Sequence, residues 1–133
     1  MNDRKFITAG KDLPQWSNPI SHAVVVNNMC YISGQLSVNV QGEYVKGTAK
    51  EEAQRAFANV FAAAVASGFD KSEIVYVDIA FSDLSELSEV NEVYMELFPE
   101  GKRPARTIYE AAALPFGGKV KVVATAVKTI DNK

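Results

Sequence analysis

The stretch 48–68 restricts the fold more than any other part of this sequence. Thr48 and Glu51 stand three apart. That is the spacing of a capping box, in which the hydroxyl accepts from the Glu51 amide and the carboxylate accepts from the cap amide. Ala53, Ala56, Phe57, Val60, Phe61, Ala64 and Val65 then recur at intervals of three and four, giving one apolar face. Gly68 supplies a left-handed residue after the last turn. The spacing predicts a helix over 49–67 whose many alanines let it lie close against a sheet.

The flanking sequence supplies that sheet. Ala23-Val24-Val25-Val26 and Met29-Cys30-Tyr31-Ile32 are short apolar runs joined by Asn27-Asn28. Asparagine tolerates positive φ, so the pair predicts a hairpin. A further strand is expected over 36–40, with a turn at Gln41-Gly42. The β-branched and aromatic run 73–81 reads as a strand. A second helix follows, capped by Asp83 or Ser85, with Leu87, Val90, Tyr94, Leu97 and Phe98 on its apolar side and Pro99 as its stop. Residues 107–113 read as a strand, although the alanines also permit helix, 114–118 as a turn and 119–127 as the closing strand, with 130–133 expected to fray.

Two helices cover only one face of such a sheet. The expected fold class is therefore α+β, a two-layer sandwich of a mixed sheet with two helices on one face. The strands carry continuous apolar residues, which predicts burial on both sides. With no third layer of its own, the chain is expected to obtain one by association with further copies of itself.

At 133 residues the chain is expected to form a single domain over 1–133. Fourteen Lys and Arg against sixteen Asp and Glu give a net charge of -2, which argues against gripping nucleic acid through its phosphates. One cysteine, Cys30, forbids an internal disulfide. With one histidine, His22, a transition-metal site would rest almost wholly on carboxylates. No apolar run approaches the roughly 20 residues that span a bilayer, and the first residues lack the apolar centre of a secretory signal. These features make a cytoplasmic protein without membrane association, metal or cofactor the expectation.

Arg106 is the position most suggestive of chemistry. It opens an apolar strand, follows Pro104 by two residues and shares a strand face with Ile108 and Glu110. It either clamps a carboxylate with two parallel hydrogen bonds or is a strand-end arginine in solvent or paired with Glu110. Gly34, between Ser33 and Gln35, either makes a bulge or lets a ligand approach the backbone. Asn91 points an amide toward the buried side of the second helix, as a structural clip or as part of a site. Cys30 reads as a buried, inert thiol, and His22 has no acid or base partner nearby in sequence.

Ser33-Gly34-Gln35, Val90-Asn91-x-x-Tyr94, Pro104-Ala105-Arg106 and Leu114-Pro115, in this order and spacing, resemble the RidA (YjgF) family of reactive-intermediate deaminases. The resemblance runs from about Asn18 to Val127. It implies a chorismate-mutase-like fold assembled as a homotrimer, with the sheets facing inward and sites in the clefts between subunits. It also implies that Arg106 clamps the carboxylate of a 2-imino acid, such as 2-iminobutanoate or 2-iminopropanoate. Water then attacks the imine carbon, giving a 2-oxo acid and ammonia without metal or cofactor. Backbone groups near Gly34 and Ile108 are expected to line the pocket, with Asn91 near the cleft. Ile20 stands where the family has a tyrosine, and Lys121 where it has the glutamate that positions the water. A protonated lysine cannot accept a proton, so Lys121 acts as a neutral base or binds a second anionic group. The alternative reading is a trimeric sensor that binds small carboxylates or ketoacids through Arg106. Ribonuclease or translation inhibition, also attached to this family, fits poorly with the acidic charge.

Overall fold

A computed structural model describes residues 3–130. The 49–67 expectation is met closely by α1 (Ala49–Ala66), whose capping box between Thr48 and Glu51 is complete. Gly68 has φ +86° and ends the helix. Ala53, Ala56, Phe57, Val60 and Ala64 are buried, but Val65 is 68% exposed. The buried stripe runs through Ala63 and Ala64 instead, leaving Val65 on the flank.

The strands are β1 (Arg4–Ile7), β2 (Ala23–Val26), β3 (Met29–Gln35), β4 (Ile74–Phe81), β5 (Ala105–Glu110) and β6 (Val120–Val127). They form one mixed sheet in the order β1-β2-β3-β6-β4-β5, antiparallel except for the β4–β5 pair. The β2–β3 hairpin turns through Asn27 at φ +54°. The second helix, α2 (Leu87–Leu97), is not capped by Asp83 or Ser85 as expected but begins after Glu86 with no side-chain cap, because Asp83 caps a short 3-10 turn before it, accepting from the backbone and hydroxyl of Ser85.

Both helices cover the same sheet face. Val77, Ile79, Phe81, Val122 and Ala124 pack into one core with Phe57, Val60 and Tyr94. Phe57, Phe61, Tyr94 and Phe98 join α1 to α2 through edge-to-face and tilted aromatic contacts. On the opposite face Leu36, Val38 and Leu114 bury Ala80, while Phe6, Tyr31, Tyr76 and Tyr109 stay exposed, and β6 alternates strictly between buried and partly exposed residues. The expected two-sided burial is thus not met within one chain.

Three elements differ from expectation. Strand β1 lies outside the sequence expectation, since four residues of which two are charged carry no pattern and become a strand only by pairing with β2. The expected strand over 36–40 shrinks to a bridge between Val38 and Tyr44. There the Asn59 amide donates to the carbonyls of Leu36 and Val38, so α1 takes the bonds a neighbouring strand would have taken. The strand expected over 107–113 starts at Ala105 and stops at Glu110, because β4 ends at Phe81 and offers only one more bond, to Ala111. Of the stretch 130–133 expected to fray, Ile130 is exposed and the rest lies outside the described residues.

The composition hid one buried charge. Glu52 is fully buried and accepts from the Tyr44 hydroxyl, the Gly47 and Lys119 amides, with the Lys119 ammonium 3.6 Å away. Burial and this carboxylate push the Tyr44 hydroxyl up to about 12. Glu52 therefore ties two loops to α1. Among the described residues no helix is long and apolar enough to cross a membrane. Glu52→Ala strands three partly buried donors and is expected to cost about 3 kcal/mol, read as a lower urea midpoint at unchanged slope.

Candidate functional site

Arg106 lies on β5, the last strand of the sheet, and its register partner is Val77 on β4. It therefore shares the helix-covered face, where α2 reaches it. Its Nη1 donates to Asn91 Oδ1 at 2.8 Å, and its guanidinium carbon stands 4.7 Å from the centre of the Tyr94 ring. Asn91 and Tyr94 are three apart on α2 and so present to one neighbour. Stacking and hydrogen bonding together hold the guanidinium plane in one orientation. The group is half-buried and, among the described residues, pairs with no carboxylate.

Both bland readings of Arg106 are thereby set aside. The side chain is not free in solvent, and Glu110 instead accepts from the Leu84 amide at 2.9 Å. Asn91 belongs to the site as a clip on Arg106. Tyr94 was read as a core residue only, and its ring serves the core as well, being 5% exposed. Its hydroxyl is buried without a hydrogen-bond partner among the described residues. Burial pushes that hydroxyl up, while Arg106 and Arg103 draw it back. The sequence signal for its second role was the i, i+3 spacing from Asn91. Ile108 follows on the same strand face, partly exposed, and β5 leaves its outer backbone edge unpaired by any strand.

Gly34 and Lys121 form a second cluster. The β3–β6 register shifts between Ile32 and Gln35, so Gly34 sits in a bulge, and the Lys121 stem lies across it. A methyl group at Gly34 would stand 3.0 Å from Lys121 Cδ and 3.2 Å from Cγ. Lys121 is the register partner of Ala80, whose other partner is Tyr109. By strand alternation Lys121 therefore points to the open face, whereas Arg106 points to the helix face. One chain does not bring the two cations together. Ile20 is 51% exposed in the loop before β2 and contributes to neither cluster.

His22 supports the bulge from beneath. Pro14 carbonyl can only accept, so Nε2–H donates to it at 2.8 Å, while Nδ1 faces the Gln35 amide nitrogen at 3.2 Å and accepts. The ring also stacks on Trp16 at 3.9 Å. Burial pulls the His22 pKa below its ordinary value, partly opposed by the Pro14 bond. Cys30 is buried, and burial pushes its thiol up, as an inert core thiol requires.

These features define a class: a two-layer α+β protein with a guanidinium held between a helix asparagine and a tyrosine ring, and a second cation on the opposite sheet face. Residues 10–128 match the family described as Endoribonuclease L-PSP. A bovine (Bos taurus) relative named 2-iminobutanoate/2-iminopropanoate deaminase is 39% identical over 94% of this chain and 90% of its own length. The crystal structure of the Escherichia coli YjgF gene product is 32% identical, covers 94% of this chain and 99% of its own, and superposes with a TM-score of 0.85. That of E. coli TdcF with bound serine is 28% identical over 94% and 100%, with a TM-score of 0.86. The chain belongs to this family, the RidA (YjgF) family that its motifs resemble.

The His22 arrangement has a consequence for pH. Its folded pKa lies below the unfolded value of about 6.5, so its contribution is complete above that value and is lost as pH falls toward the folded pKa. Unfolding free energy is expected to decline between pH 7 and 5, and His22→Gln to flatten that decline, as denaturant titrations at each pH will read.

Proposed function

We propose that this protein is a hydrolytic deaminase of reactive 2-imino acids, working in the cytoplasm as a homotrimer whose sites lie between subunits. The observation that carries this reading is Arg106, a half-buried guanidinium fixed by Asn91 and Tyr94 and lacking a protein carboxylate among the described residues. Such a group is set for an exogenous carboxylate. The name of the bovine relative supplies the reaction class, and the serine bound to TdcF is itself a small molecule with a carboxylate beside a nitrogen.

Strand alternation supports this assembly. Arg106 and Ile108 occupy the outer strand on one face, and Gly34 and Lys121 the opposite face two strands or more away. A pocket containing both clusters needs the edge of one copy set against the open face of another. That open face carries Phe6 at 62% and Tyr31 at 49% exposure, together with Tyr76 and Tyr109. Such an apolar surface favours association.

In the mechanism Arg106 takes the substrate carboxylate through parallel hydrogen bonds, fixing the imine carbon. Backbone groups near Ile108 and the neighbour's Gly34 orient the imine nitrogen and the water. The water oxygen bonds to C2 as the C=N electron pair moves to nitrogen, which takes a proton. The carbinolamine O–H proton then passes through water to nitrogen, the C–N bond breaks as the C=O bond forms, ammonia leaves and the 2-oxo acid remains. Positioning supplies most of the acceleration, because the reaction already proceeds slowly in water.

Imines generated in situ from alanine or 2-aminobutyrate by an amino-acid oxidase are expected to decay faster with the protein present. Arg106→Ala is expected to abolish this, and Arg106→Lys to lower kcat/KM about 100-fold through loss of the two-point clamp. Asn91→Leu, which frees the guanidinium on one side, is expected to cost about tenfold, near the value of one charge-assisted hydrogen bond. Ketoacid binding that depends on Arg106 without accelerated decay would establish the sensor reading instead. RNA cleavage surviving Arg106→Ala would detach any nuclease activity from this site.

A further inference from the structure

The deaminase reading accounts for Arg106 and leaves Lys121 unexplained. Among the described residues Lys121 forms no ion pair, although it is partly buried near the middle of the sheet. A carboxylate is close by in the fold. Asp78 lies on β4 and pairs with Val123, so it shares the open face with Lys121 one register step away. Its Oδ1 is buried and accepts no hydrogen bond among the described residues. The two charges nevertheless do not meet, because the Lys121 stem leans the other way, over Gly34 on β3. The bulge with its missing side chain is what makes room for that course.

Closing a second copy over this face would remove water from Lys121. An unpaired ammonium in a closed site is costly, whereas one facing an anion is not. A 2-imino monocarboxylate carries one negative group and satisfies Arg106 alone. A substrate with a second acid group, at the far end of a short chain, neutralises both cations. Lysine suits that end of the site, being a compact point charge on a flexible stem that follows a distal carboxylate without imposing planarity.

We propose that this site selects 2-imino dicarboxylates, with Arg106 of one copy clamping the carboxylate beside the imine and Lys121 of the adjoining copy holding the distal carboxylate. The proposal rests on the deaminase reading and names its substrate class. The hydrolytic step is unchanged: water adds to C2 and ammonia leaves, giving a 2-oxo dicarboxylate. Lys121 touches only the distal group and takes no proton.

The test compares kcat/KM for 2-iminosuccinate and 2-iminopropanoate, generated from aspartate and alanine by the corresponding oxidases. Calorimetric binding of 2-oxoglutarate and 2-oxobutanoate gives the same comparison without turnover. The wild type is expected to favour the diacid in both assays. Lys121→Met is expected to lower the diacid-to-monoacid ratio about tenfold, the value of one distal charge contact. Lys121→Arg is expected largely to keep the ratio, and circular dichroism with sedimentation to show both variants folded and assembled. A ratio that Lys121→Met leaves unmoved, with turnover still dependent on Arg106, overturns this proposal and spares the deaminase reading. Absence of turnover on both imines overturns the deaminase reading, and the binding ratio then decides separately whether Lys121 selects diacids.

Discussion

Everything in this molecule depends on the helices burying one side of a six-stranded sheet and leaving much of the other exposed. Apolar area is removed from water on the covered face, where Phe57, Val60 and Val90 meet Val77, Ile79 and Val122. Because side chains alternate along each strand, that choice assigns every residue of the sheet to one of two environments. Arg106 and Lys121 fall on opposite sides by this rule alone. The location of the proposed site between copies, and its need for a partner's surface, descend from the same alternation.

Within that frame the half-site is built by one short helix. Asn91 and Tyr94 sit on consecutive positions of one α2 face, and the core holds Tyr94 in place through Phe57 and Phe98. The ring that completes the aromatic core is thus also the platform beneath the guanidinium. Orientation of Arg106 is settled before any ligand arrives, which spares the ordering cost at binding. The opposite half-site uses a different device, a bulged strand with a glycine that leaves a track for the Lys121 stem. His22, Gln35 and Pro14 brace that bulge through a hydrogen-bonded chain in which the imidazole stays neutral.

Legibility in the sequence followed the range of the forces. The capping box at Thr48, the stop at Gly68 and the Asn27 turn involve residues within a few positions of one another, and all were readable. Strand β1, the loss of a strand after Gln35 and the early end of β5 depend on partners far along the chain. Buried Glu52 and Asn59 were invisible for the same reason: a polar residue on an apolar face announces itself, but its partners come from distant loops. In the candidate site, Arg106 and Asn91 were marked by spacing and by family resemblance. The contact between them, and the second duty of Tyr94, required β5 to lie beneath α2.

By itself the sequence determined the two helices, the hairpin, the α+β class and the residue types available for holding a small acid, because local propensity and periodicity act over a few residues. Tertiary structure alone decided which cations share a face, which carboxylates stay unpaired and what lies against each one. Those outcomes are set by strand register and by the packing of elements distant in sequence, and a change of one residue in register would exchange the two faces.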